Sequence, residues 1–103
     1  MKYTVAHDLD PAKARRVVEV AIARISERFA QHEPQTRWLS DTVVESSARS
    51  KGMTVTSRMT IHPDSFEVEA KVPLPLKPFQ KQAAEKGEKL LRRLIERAKA
   101  GEL

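Results

Sequence analysis

Cysteine is absent from this chain of 103 residues, glycine occurs three times, and aromatic residues make up 5% of it. Without thiols there is no disulfide scaffold, no thiolate nucleophile and no sulfur-ligated metal, a usage that fits a reducing cytoplasm. The glycines, Gly52, Gly87 and Gly101, are too scattered for a loop that cradles phosphate. No apolar run is long enough to cross a bilayer, and the opening Met1–Asp8 lacks the apolar core of a signal peptide. These absences lead to the expectation of a cytoplasmic protein with no transmembrane segment.

What remains is a balanced globular composition, 40% hydrophobic and 32% charged. Residues 1–103 are expected to form a single α+β domain whose core needs neither metal nor crosslink. The formal charge of +5 is unevenly placed: between Lys77 and Lys99, eight lysines and arginines accompany three glutamates. Such an excess attracts nucleic acid, anionic lipid or an acidic protein, or else solvates a helix face and keeps a small domain soluble.

Hydrophobic periodicity places the elements. Tyr3–His7 alternates weakly and reads as a short strand. Asp10-Pro11 is a helix start, because the aspartate accepts from free backbone amides and the proline already holds a helical φ. Ala14, Val17, Val18, Ala21, Ile22, Ile25 and Phe29 then form one apolar stripe, predicting a helix to about Ala30 that stops before Pro34. Strands are expected over Thr36–Leu39, Thr42–Arg49, Met53–Ile61 and Phe66–Val72, with turns at Ser40-Asp41, Lys51-Gly52 and Pro63-Asp64-Ser65. The serines of the second of these suggest an edge strand or a wet face. Phe66, Val68, Ala70 and Val72 should point inward and Glu67, Glu69 and Lys71 outward, with a glutamate opposite Arg58 or Arg49. A second helix is expected from near Pro78 to Ala100, with the stripe Phe79, Ala83, Gly87, Leu90, Leu91, Leu94 and Ala98. Gly87 on that stripe is either a close approach by the sheet or another helix or a tolerated weak point in the helix. The fold expected is an antiparallel sheet of four to five strands with two helices on one face, in strand–helix–strands–helix order.

Candidate chemistry is sparse. His7, His32 and His62 are far apart in sequence and form no metal-ligand pair with another residue. Asp10 is better explained as a helix cap than as an acid–base partner of Asp8. Glu67 and Glu69 fall on the solvent side of a strand, and no serine has a nucleophile-elbow context. No catalytic, metal or cofactor site is expected, and the chain reads as a non-enzyme. Nucleic-acid binding through the basic helix is the rival, although Phe29, Phe66 and Phe79 fall on buried stripes and leave few rings for base stacking. Trp38 reads as core. Leu74 and Leu76 flank Pro75 in an extended connector. With Lys81, Lys89, Arg92 and Arg93 on the adjacent helix they form the candidate partner-binding surface.

Several short motifs carry a family resemblance over nearly the whole chain. They are His7-Asp8-Leu9 before Ala14-Arg15-Arg16, then Trp38-Leu39-Ser40-Asp41-Thr42-Val43, the Gly52 turn, the strand Asp64–Val72, and Pro78-Phe79 ahead of the last helix. Together they resemble the small polyhydroxyalkanoic acid system protein family encoded with bacterial polyester-granule genes. The chain differs from that pattern at Ser40, where glycine is expected, and in the connector at Pro73 and Pro75. The resemblance implies a granule-associated accessory role without catalytic residues. Its implied partners are the polyester granule surface or granule coat proteins, with a homodimer as a further contact for the same surface.

Overall fold

Asp10 starts the first helix as its position dictates: its carboxylate accepts the Lys13 backbone N–H at 2.8 Å, and Pro11 fills the first turn. The computed structural model describes residues Met1–Leu103. Its elements are β1 (Lys2–Ala6), α1 (Pro11–Arg28), β2 (Gln35–Trp38), β3 (Val43–Ser50), β4 (Met53–Ile61), β5 (Ser65–Lys71) and α2 (Gln80–Lys99). Short 3-10 segments cover Ala30–His32 and Leu74–Phe79.

All five strands form one antiparallel sheet in the order β1-β5-β4-β3-β2. The two strands joined by α1 therefore lie on opposite edges, and α1 crosses from one side of the sheet to the other. Both helices cover the same face: Val17, Val18 and Ala21 of α1 and Leu91, Leu94 and Ile95 of α2 share one core with Val5, Val44, Phe66 and Val68 of the sheet. This is the expected α+β arrangement of five strands and two helices.

Register agrees with the alternation. Phe66, Val68 and Ala70 are buried while Glu69 and Lys71 are exposed. Glu69 faces Arg58 on β4, and the same row continues to Glu45 on β3 and Arg37 on β2, with Lys2 on the other side. The outer face thus carries a row of alternating charge across every strand, Lys2–Glu69–Arg58–Glu45–Arg37. Arg58 meets Glu45 at 2.7 Å and Arg37 meets it at 3.6 Å. A slip of one residue would turn these charges into the core, so the row helps to specify pairing. The β3–β4 turn is tight because Lys51 and Gly52 both take left-handed backbone angles, φ 53° and 76°.

Four expectations need correction. The serine-rich β3 is not an edge strand, since β2 flanks it; Ser46 and Ser50 are half-buried on the inner face where helix cover thins. The stripe of α1 is buried only to Ala21, and Ile25 and Phe29 are exposed. On α2 the buried positions are Leu91, Leu94, Ile95 and Ala98, while Phe79 and Ala83 are exposed. The connector is not extended but coils into a 3-10 segment, closed by the Leu76 N–H to the Pro73 carbonyl at 2.9 Å. Pro75 and Pro78 supply the φ this coil needs, and their missing amides cost little where few bonds are made.

The core is therefore displaced toward one end of the sheet. It lies beside the β4–β5 hairpin, where α1 starts near Asp41 (Arg15 Nη1 donates to its carbonyl at 3.0 Å) and α2 ends near Asp8 (Lys99 Nζ at 3.1 Å). At the other end, by the β3–β4 turn, the half-buried inner-face residues Ala48, Met53 and Val55 stand outside the core cluster.

Candidate interaction surface

The histidines are the first place to look for chemistry, and the fold commits them elsewhere. His7 is buried; its Nδ1 accepts the Leu9 N–H at 3.1 Å and its Nε2–H donates to the His62 carbonyl at 3.0 Å. Its ring packs on Phe66 at 4.4 Å between centroids. Both nitrogens are used in closing the turn from β1 into α1, so the ring is the Nε2–H tautomer. His62 directs its own ring to Glu67 at 3.2 Å, and His32 lies at the opposite end, its Nδ1–H donating to the Arg49 carbonyl at 2.8 Å. His7 and His62 do come together, through a backbone carbonyl rather than through two free imidazoles. No group of three histidine or carboxylate side chains is arranged to hold a metal ion.

The uncovered sheet face is polar and shallow. A depression of about 670 Å³ spans β2 to β5 with no hydrophobic residue in its lining. Its charges are largely neutralised within the row: the hydrogen bond from Arg58, followed by the charges of Arg58 and Arg37, holds the Glu45 carboxyl below the usual carboxylate range. Little of that charge is left to recognise a ligand.

The end by the β3–β4 turn is different. Four of the five exposed large apolar side chains lie there: Ile25 and Phe29 from α1, and Leu74 and Phe79 from the 3-10 connector. Contacts tie two of these groups, Phe29 and Phe79, to the turn. The Phe29 ring stands 5.9 Å from that of His32, which is bonded to Arg49, and the Lys51 amine lies 5.1 Å over the Phe79 ring. Leu74 is 77% exposed and Phe79 53%. This is an apolar patch at the end of a small domain, with Arg28, Lys51, Lys77 and Lys81 exposed around it. Exposed apolar groups gathered at one end with charged residues around them have the character of an interaction surface, and singly scattered leucines do not.

Comparison with known families now bears on this end, because residues 1–95, including the connector and most of α2, match the family described as "Putative polyhydroxyalkanoic acid system protein". The chain belongs to this family. Comparison with curated proteins and with solved structures returns no match. In this polyhydroxyalkanoic acid system protein no helix is long and apolar enough to cross a membrane.

Of the six residues singled out in the sequence, the fold gathers two at the apolar end, Leu74 and Lys81. Leu76 is 8% exposed and belongs to the interior, which corrects the expectation that both connector leucines are free. The reason is the 3-10 coil, which turns Leu74 and Leu76 to different sides where an extended chain would place them on one. Lys89, Arg92 and Arg93 are exposed. At about 1.5 Å per residue, however, Arg93 stands roughly 18 Å along α2 from Lys81, and Arg92 is paired with Glu88 at 3.9 Å. Sequence reasoning missed Ile25, Phe29, Phe79 and Lys51. The first three sat on correct stripes, at their ends nearest the β3–β4 turn, beyond the positions that reach the core cluster.

Proposed function

We propose that this polyhydroxyalkanoic acid system protein is a non-enzymatic, cytoplasmic accessory protein that docks on the polyester granule or its coat through the apolar end. The observation that carries the reading is the cluster of Leu74, Phe79, Phe29 and Ile25 left outside the core. Burying such groups against a hydrophobic phase contributes about 25 cal/mol per Å² of apolar surface removed from water. The three histidines are engaged by turns and strand neighbours, and no group of histidines and carboxylates converges to hold a metal ion, which supports a reading based on binding. Nucleic-acid binding through α2 is the weaker reading, since Arg92, Arg97 and Lys99 are engaged by Glu88, Glu102, Asp8 and Glu96.

Purified protein incubated with polyester particles separates the two. Retention that survives high salt, is lost in a Leu74→Ser, Phe79→Ser variant and persists in an Arg92→Glu, Arg93→Glu variant is the expected result. If the arginine reversals abolish retention, or if the protein binds duplex nucleic acid and not the particles, the docking reading fails and the polyanion reading replaces it.

A further inference from the structure

Ion pairing in this protein is lopsided. Pairs run across the outer sheet face, along the first turns of α1 and over the second half of α2. Arg28, Lys51, Lys77 and Lys81, the cations around the apolar end, take part in none of them. Seven other lysines and arginines are also unpaired, and Glu27 and Glu33 flank Arg28, but from Lys71 to Ala84 the chain carries three lysines and no acidic residue, and Lys51 stands over the Phe79 ring of that same stretch. The apolar groups are also held in place: Leu74 and Phe79 sit on a coil stiffened by Pro75 and Pro78, so little ordering is needed to present them.

We infer that this end seats on an anionic lipid layer, with Phe79 and Leu74 entering the acyl boundary and the four cations meeting headgroup phosphates. The inference rests on the docking reading above and names the chemistry of the surface. An apolar face rimmed by lysine and arginine is the arrangement by which amphipathic segments lie in a lipid interface. Bare polyester supplies the apolar phase but only a terminal carboxylate per chain, too few anions to face four cations around one patch. A second copy docked by a two-fold axis would bring like cations against like. Lipid headgroups supply anions side by side, at the level where Lys51 sits over the Phe79 ring.

The test uses the full chain with vesicles of mixed phosphatidylglycerol and phosphatidylcholine, vesicles of phosphatidylcholine alone, and lipid-free polyester particles. Binding to the anionic vesicles should exceed that to the zwitterionic ones at least ten-fold and fall as salt rises. Lys77→Gln with Lys81→Gln should weaken binding to the anionic vesicles about thirty-fold, from about 1 kcal/mol per lysine near such a surface. The melting temperature should not move, since both side chains are exposed. Leu74→Ser with Phe79→Ser should abolish vesicle binding. Equal binding to the two vesicle types overturns the inference. So does binding to bare particles with none to anionic vesicles, an outcome that leaves the docking function intact. Binding to neither vesicles nor particles removes both.

Discussion

Gly87 sits in the middle of α2, where helix propensity alone predicts that Gly87→Ala would stabilise the protein by about 1 kcal/mol. The structure predicts the opposite sign. A Cβ at this position would run into the hydroxyl of Tyr3 on β1 and stand 3.3 Å from its ring carbon Cζ. Tyr3 is half-buried against the core, and burial followed by the Glu88 carboxylate raises its hydroxyl pKa above the ordinary value. The ring is held between strand and helix, so it has to swing out or α2 has to lift. Overpacking of this kind costs about 1–3 kcal/mol. Against a propensity gain of about 1 kcal/mol, Gly87→Ala should be neutral to destabilising by about 2 kcal/mol. Tyr3→Phe removes the colliding oxygen, so in that background the same substitution should recover most of its propensity gain. Urea unfolding of the four proteins of the cycle gives the coupling directly, expected at about 1–3 kcal/mol. If Gly87→Ala stabilises equally with and without the Tyr3 hydroxyl, the close approach of α2 to β1 is wrong, and with it the position of the helix over the sheet.

The 3-10 connector makes a second prediction: Leu76→Ser should destabilise by about 3 kcal/mol or more as a buried leucine, whereas Leu74→Ser should leave the denaturation midpoint within about 0.5 kcal/mol. Equal effects in urea unfolding would show that the connector does not coil. A third concerns acid. The folded Glu45 carboxyl lies below its unfolded value of 4.5, so its contribution is present above about that pH and is lost as pH falls through the lower folded value. Stability of Glu45→Gln should therefore decline less than that of the unaltered protein below pH 4.5, and identical acid limbs would refute the pairing with Arg58.

The residues that gave themselves away in the sequence are those whose structure is decided locally. Asp10-Pro11 carries its own cap and its own φ. The alternation from Met53 to Lys71 carries its own facing, and Glu69 opposite Arg58 follows once the short hairpin at Pro63-Asp64 is placed. Gly87 was legible as a close approach or a weak point because glycine inside a helix needs a reason, although Tyr3 as the neighbour was not. What stayed hidden depends on axial placement. An apolar stripe reports which side of a helix is buried but not how far along its axis the partner extends, so Ile25 and Phe29 could not be told from Val17 and Val18. Ile95 was missed because it lies beside Leu94, off the line of the stripe, yet it belongs to the buried core. His7 was weighed as a ligand when its burial and both its hydrogen bonds follow from a turn between distant segments.

The same axial placement connects fold to function. The helices bury their apolar positions beside the β4–β5 hairpin and concentrate the interior there. They leave Leu74, Phe79, Phe29 and Ile25 at the far end with water as their neighbour. A domain of this size has little stability to spare, about 0.05–0.15 kcal/mol per residue, and closing α1 and α2 over the whole inner face would have hidden these groups. The sequence instead places Lys51 in a left-handed turn position that suits asparagine or glycine better, directly over the Phe79 ring. It also leaves Lys77 and Lys81, beside Leu74 and Phe79, in no ion pair. Solubility alone could be served by charges anywhere on the surface. Lysines beside this uncovered apolar end are what the proposed partner, apolar beneath and anionic at its surface, would meet.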